Sequence, residues 1–396
     1  MTGISLEPRA ARYDNRVGPS ERATSRVSSI DLIRGIVMIL MAIDHVRVYS
    51  GVPAGGPTPG VFFTRWVTHF CAPAFAFFAG TAAFYLGRKL DNPRALAKYL
   101  VTRGLLLVAL ELTVLHVAWT FTFDFTQLLA GVIWMLGWSM IVLAALVQLP
   151  AAVVGVVGLA IILGQGLLTP LAAAMPQSTH WLWQFLYLGG QVTIGGVTIS
   201  ILYVLVPWIG VMAAGYGFGT IVSREAMQRR RLCLGIGIGM TVLFLAIGGA
   251  LVMTHPARAG APPFLLRLLS QRKYPASILF LLMTLGPTIA FIPLAERARG
   301  RVSSIVTTFG RVPMFYYLLH IPLIHATSLL VWLLRDGSAG AARFTSAPDV
   351  FIPPADRWSL GLLYLVFAIV VATLYPVCRW YAARKATRPA AWMRYI

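Results

Sequence analysis

Residues 26–49 read RVSSIDLIRGIVMILMAIDHVRVY, and the fold turns on them. Ser29 and Asp31 are helix-starting residues. The chain then runs apolar for about two and a half turns and ends in the polar group Asp44, His45, Arg47. From Arg34 to His45, at about 100° per residue, the two side chains come round to one face of one helix, about 16 Å apart along its axis. That is about half of the ~30 Å hydrocarbon layer of a bilayer. A cation at one edge and an imidazole half a membrane deeper suggest a lined path through the bilayer. The plain alternative is an anchor helix in which Arg34 snorkels to the headgroups and His45 sits at the far interface.

The rest of the chain has the same character. Of its 396 residues, 58% are hydrophobic and 12% charged, about half the charged share of a soluble domain. Ten apolar segments of spanning length can be placed near 30–49, 62–86, 102–122, 127–148, 151–170, 201–222, 232–253, 275–295, 311–334 and 358–381. The expectation is an all-α, polytopic membrane protein of about ten transmembrane helices. Residues 1–28 form a basic disordered tail, 29–383 the transmembrane domain and 384–396 a second basic tail. The net charge of +20 would suggest nucleic acid in a soluble protein. Here most Lys and Arg fall in the tails and in alternate connections (87–103, 223–231, 296–311), so no nucleic-acid partner is expected. The bias puts both termini in the cytoplasm, with the chain in a cell inner (plasma) membrane among its lipids. Cys71, Cys233 and Cys378 all lie in apolar segments and offer neither a disulfide framework nor a metal motif.

The opposite loops, 50–60, 171–200 and 335–357, are longer and poorer in charge. Residues 181–200, WLWQFLYLGGQVTIGGVTIS, are too interrupted to span and read as an interfacial or re-entrant element. The 254–274 loop breaks the charge pattern with Arg258, Arg267, Arg272 and Lys273. Either it dips into the protein to meet an anionic group, or one helix is miscounted there. No internal repeat is visible.

Ionisable residues at membrane depth mark functional sites by default. Asp44, His45, Arg65, His69, Glu111, His116, His320 and His325 fall in the outer half or near the midplane, with Tyr316 and Tyr317 beside them. Arg65 and His69 are four apart and share a helix face. Glu111 either belongs to the site or pairs structurally with Arg65 or a histidine. His320 and His325 are about 140° apart round their helix, so one of them faces a site and the other does not. His116, next to Trp119, reads as structural. No segment carries HxxxH or HExxH, and no metal is expected. Phosphate-loop and serine-elbow patterns are absent as well.

Several stretches together resemble the family of heparan-α-glucosaminide N-acetyltransferase catalytic domains, in its bacterial branch. They are SSIDLIRGIVMILMAIDHVRVY, FFTRWVTHFCAPAFAFFAGTAAFYLG, RGLLLVALELTVLHVAWTF, YVLVPWIGVMAAGYGFG, KYPASILFLLMTLGP and FGRVPMFYYLLHIPLIH. The start at Asp31, Arg34 and Gly35 and the spacing to His45 are also similar to the acyltransferase type-3 family. The resemblance implies a membrane acyltransferase that takes an acyl group, acetyl in the named family, from cytoplasmic acyl-CoA and passes it to an extracytoplasmic sugar or glycolipid. It implies that Arg34 holds a coenzyme A phosphate and that His45 acts in transfer. The family's lysosomal member has its catalytic histidine just before the second helix, where this chain has Thr58-Pro59-Gly60, so the reactive residue here is His45 or His69.

Acyl transfer from a thioester needs a base or nucleophile, which a neutral histidine supplies, and donors for an oxyanion, such as Tyr316 or Tyr317. The expected catalytic set is His45, His69, Asp44, Glu111 and His320. The expected donor contacts for acetyl-CoA are Arg34, Asp31 and Arg311, and the acceptor contacts are Arg65, Lys273 and Tyr316. The rival reading is a proton-coupled permease that uses the same Asp/His/Glu/Arg set as a relay. A homodimer is left open.

Overall fold

The computed structural model describes residues 19–56, 58–255, 260–342, 352–388 and 390–395. Helix α1 (Pro19–Ser50) starts ten residues before the boundary drawn at residue 29, while residues 1–18 of the expected tail lie outside the described residues. A short α2 (Pro59–Trp66) and a tighter turn over Val67–Phe70 lead into α3 (Cys71–Leu90). Next come α4 (Pro93–Leu110), a wide π-turn at Glu111–Leu115 and α5 (His116–Thr120). Strand β1 (Gln127–Ala130) precedes α6 (Val132–Leu146), which is followed by α7 (Ala151–Gly164), α8 (Leu168–Ala174) and α9 (His180–Trp183). A hairpin of β2 (Gly190–Ile194) and β3 (Val197–Ile201) leads to α10 (Trp208–Val222), α11 (Ala226–Thr254) and α12 (Phe264–Leu269). The chain ends with α13 (Ile278–Arg297), α14 (Arg301–Arg311), α15 (Pro313–Ala342, broken at Gly337) and α16 (Leu360–Thr387).

The local causes are plain in the sequence. Asn92-Pro93 starts α4 with a side chain that accepts from the Arg94 and Ala95 amides and a proline already set to helical φ. Thr58, Ser277 and Ser359 cap α2, α13 and α16 in the same way.

The protein is an all-α polytopic membrane protein, and each of the ten expected segments falls on a helix. Among the described residues, seven helices are long and apolar enough to cross a bilayer. Helix α1 carries too many charges to be one of them, and α6 and α10 are shorter apolar helices of 15 residues. Fifteen residues rise only about 22 Å, less than the ~30 Å core. The spans expected to start at 127 and 201 do not start as helix. Both open in strands of one small sheet of order β1-β3-β2, with β1 parallel and β2 antiparallel to β3. Gln127 pairs with Thr198, and the strand amides at this end of the bundle are satisfied by one another. The expected re-entrant element 181–200 is thus a helical turn followed by a sheet hairpin.

Helix α1 is the central post. Met38, Ala42, Val46 and Tyr49 are buried among α3, α13, α15 and α16. Its closest neighbour is α14, a segment expected only as a loop. A Cβ on Gly35 would stand 1.9 Å from the Val306 carbonyl oxygen, and one on Gly310 1.7 Å from that of Asp31. Only glycine permits so close a crossing. Helix α10 is pressed between α3 and α7 by the same device, with Gly80 against the Met212 carbonyl and Gly215 against that of Phe77. At the end where α1 begins and α16 finishes, called here the basic end, Arg229 Nε donates to Glu296 Oε1 at 2.5 Å and ties α11 to α13.

Candidate active site

Helix α1 presents Asp44, His45 and Arg47 in its last two turns, and α15 presents Tyr316, Tyr317 and His320 in its first two. Nδ1 of His45 lies 2.7 Å from Nε2 of His320, with the rings 4.8 Å apart and nearly parallel. Nδ1 of His320 faces the carbonyl oxygens of Tyr317 at 2.8 Å and Tyr316 at 3.2 Å. A carbonyl can only accept, so this nitrogen carries the hydrogen, and Nε2 of a neutral ring is then an acceptor. His45 Nδ1 therefore donates to His320, which leaves His45 Nε2 with the lone pair. Nε2 makes no hydrogen bond among the described residues. Trp119 and Tyr317 stand edge-on to the His45 ring at 4.8 and 6.1 Å and fix its plane.

Next along α1, Asp44 accepts from Arg47 Nε at 2.8 Å and forms an ion pair with Arg65 of α2. Arg47 also donates to the Val52 carbonyl at 3.0 Å, which anchors the turn after α1. Lys273 is buried, with its ammonium 5.6 Å from the Tyr203 ring centre and 5.2 Å from that of Tyr274. It lies within electrostatic reach of Asp44, His45 and His69. The 254–274 loop turns Lys273 inward, while its Arg258 lies outside the described residues. Its Arg267 closes the end of α11 by donating to the Val252 and His255 carbonyls.

Two cavities approach this centre. One, of about 420 Å³, opens at the basic end. Asp31, Arg34, Arg103, Arg311 and Lys385 line it, and its walls are apolar residues such as Met38, Phe75, Leu100 and Met140. Tyr317 also lines it, and this residue touches His45. Arg34 is held there by Asp31 at 3.7 Å and by donation to the Phe78 carbonyl at 2.7 Å. The other cavity, of about 430 Å³, lies past the far end of α1 and is lined by Arg65, His69, Arg267, Ser270, Phe62 and Trp66. Arg65 and His69 do share a face, although the helix tightens between them. His69 Nδ1 is buried without a hydrogen-bond partner among the described residues, and its ring stands edge-on to Phe280 at 5.5 Å.

Some expected residues sit elsewhere. Glu111 pairs with neither Arg65 nor a histidine. The π-turn aims it at the N-terminus of α6, where Oε2 accepts from the Ile133 amide at 3.1 Å, and a Cβ on Gly131 would strike Oε1 at 2.3 Å. Tyr316 reaches neither cavity: it is fully buried, stacked on His320 at 5.0 Å, and its hydroxyl has no partner among the described residues. Tyr317, one residue on and about 100° round the helix, is the tyrosine at the cavity. His325 points away from His320, stacking on Phe121 at 3.8 Å, and His116 Nε2 donates to the Asp124 carbonyl at 2.6 Å. Arg103 and Lys385 were not foreseen at the basic cavity. Their positive charge was legible, but nothing local brings the end of α16 beside α4. Among the described residues, no group of three or more His, Cys, Asp or Glu side chains could hold a metal ion.

The class defined by this architecture is a multi-pass helical membrane protein with a histidine-centred site between two cavities. The catalytic-region model of heparan-alpha-glucosaminide N-acetyltransferase matches residues 26–253, and the chain belongs to that family, a family of membrane acetyltransferases. No curated protein matches the chain. The matched stretch includes Asp31, Arg34, Asp44, His45, Arg65, His69 and Glu111, while Lys273, Arg311, Tyr316 and His320 lie beyond it.

Proposed function

We propose that this protein transfers an acetyl group from acetyl-CoA, bound in the basic cavity, to an amine or hydroxyl of a sugar-containing acceptor in the cavity at the other end. The observation that carries this reading is the placement of His45. Its Nε2 bears a lone pair and makes no hydrogen bond among the described residues, and the ring lies between Tyr317 of one cavity and the Asp44–Arg65 pair that borders the other. Arg34, Arg103, Arg311 and Lys385 supply donors for phosphates, and the apolar walls suit the long arm of a thioester donor.

In the reaction, the acceptor nitrogen or oxygen attacks the thioester carbonyl and its proton passes to His45 Nε2. The carbon–sulfur bond breaks, and His45 returns the proton to the departing thiolate. His320 does not meet substrate in this scheme. It is a positioning residue that fixes the tautomer of His45, and Tyr316, stacked behind it, holds the His320 ring. Asp44, with Arg65 and Arg47, locks the last turns of α1, and His69 and Lys273 border the acceptor. Tyr317 is placed to donate to an oxyanion.

We place the basic end, with both termini, in the cytoplasm, because the Lys and Arg excess lies there. Reporter fusions after Arg229 should read cytoplasmic and fusions after Gly55 external, and an external reading at Arg229 would reverse the scheme. The decisive test of activity is single-turnover release of free coenzyme A by purified protein in detergent, with and without amino sugars. A wild-type protein that releases none, yet moves a solute across proteoliposomes, is a permease.

A further inference from the structure

After α16 the chain turns back onto the bundle. A tight turn over Ala391–Arg394 buries Met393, whose Sδ accepts from the Ala390 amide at 3.5 Å. Trp392 lies over Tyr381 at 6.2 Å, and Tyr381 is itself stacked on Phe315 of α15 at 3.9 Å. Thus anchored, the segment carries Tyr395 to Tyr99 of α4, and the two rings stack with centroids 5.4 Å apart and planes 18° from parallel.

Tyr99 belongs to the lining of the basic cavity. Arg103, one turn further along α4, donates to its hydroxyl at 2.8 Å, and Lys385 and Arg311 line the same cavity. Two aromatic rings from distant parts of the chain and three cations therefore meet at one opening. Guanidinium and ammonium groups suit phosphates, and flat aromatic faces suit a base of any sequence. Together they match an adenine nucleotide, with the apolar walls beyond for the remainder of the donor.

We propose that Tyr99 and Tyr395 form the base-binding end of the donor site, which makes the segment 391–395 an element of nucleotide recognition. The inference rests on the donor reading above, and it adds residues outside the matched 26–253 stretch. Stacking on Tyr395 sets the plane of the Tyr99 ring beside the phosphate-binding cations. A base stacks against this half-buried pair of rings.

The test uses the full chain in detergent and two probes: acetyl-CoA, and acetyl-pantetheine, which has the same thioester and arm but no nucleotide. Tyr395→Ala and Tyr99→Leu should each weaken acetyl-CoA binding about tenfold, and Tyr395→Ala should lower kcat/KM for acetyl-pantetheine far less. Tyr395→Trp should keep wild-type affinity. An equal loss with both probes, or no loss with acetyl-CoA, overturns the proposal. Tighter acetyl-CoA binding by Tyr395→Ala also overturns it, because the segment would then be a plug. Wild-type protein that neither binds acetyl-CoA nor turns over either probe defeats the donor reading itself, a distinct result.

Discussion

The two cavities are nearly equal in volume, about 420 and 430 Å³, and differ in where their polar groups stand. In the basic cavity the charges of Arg34, Arg103, Arg311 and Lys385 accompany long apolar walls, an arrangement suited to a ligand with a charged head and a greasy arm. In the other, Arg65, His69, Arg267 and Ser270 alternate with Phe62 and Trp66, which suits a compact polar ligand with a hydrogen-bonding group in every direction. Arg311 is solvent-exposed, whereas the Arg65 and Asp44 side chains keep only 13% and 16% of their exposure. Salt screens exposed charges and largely spares buried ones, so ionic strength should affect the two ends differently.

The largest expected effect is at the His45–His320 pair, which stands between the two cavities and lines neither. His45→Ala should still bind acetyl-CoA but lose about 10²–10⁴-fold in single-turnover coenzyme A release. His320→Ala should lose up to about 10²-fold, because the His45 ring is then free to turn out of place. If His69→Ala gives the greater loss instead, the base belongs to the far cavity.

At the basic end, Arg34→Ala should weaken donor affinity by about 1.5–3 kcal/mol with acceptor KM unmoved, and Arg311→Ala, at an exposed charge, should weaken it less and by an amount that shrinks in high salt. Calorimetric titration at two ionic strengths checks this, and unchanged donor affinity would remove Arg34 from the site.

Gly310→Ala tests whether the α1–α14 seam builds that end. Its Cβ must push away the Asp31 carbonyl, at a cost of about 1–3 kcal/mol. A lower melting temperature together with weaker donor binding is expected, and an unaltered melt would contradict the tight crossing.

The smallest effect is expected at Glu111, which lines neither cavity although the Ile133 amide it holds borders the basic one. Glu111→Gln keeps an oxygen acceptor for that amide, so it should reduce stability by at most about 1 kcal/mol and leave turnover near wild type. A collapse of turnover would move Glu111 into the chemistry.

Much of this plan was legible along the chain. Apolar runs of spanning length marked the helices, and the eleven-residue step from Arg34 to His45 put a cation and an imidazole on one face of α1. QLLA is too short to show a period, but GQVTI and VTISI, two alternating runs on either side of Gly195-Gly196, do carry a hairpin signal; what the sequence does not show is that β1 pairs with β3. Glu111 was visible as a buried acid, but its partners, the first amides of α6, exist only once that helix has a start.

Taken alone, the order of residues determined that the chain enters a membrane, where its helices run and which polar groups they carry inward. Hydropathy and helical period are properties of neighbours in sequence, and lipid selects on them one segment at a time. Tertiary structure decided which groups meet. His45 finds His320 across 275 residues, Tyr317 rather than Tyr316 turns to the cavity, and Lys385 and Tyr395 come back to α4. Those meetings depend on glycines such as Gly35 and Gly310, which let two backbones touch, and close packing between distant helices leaves no periodic mark in the sequence.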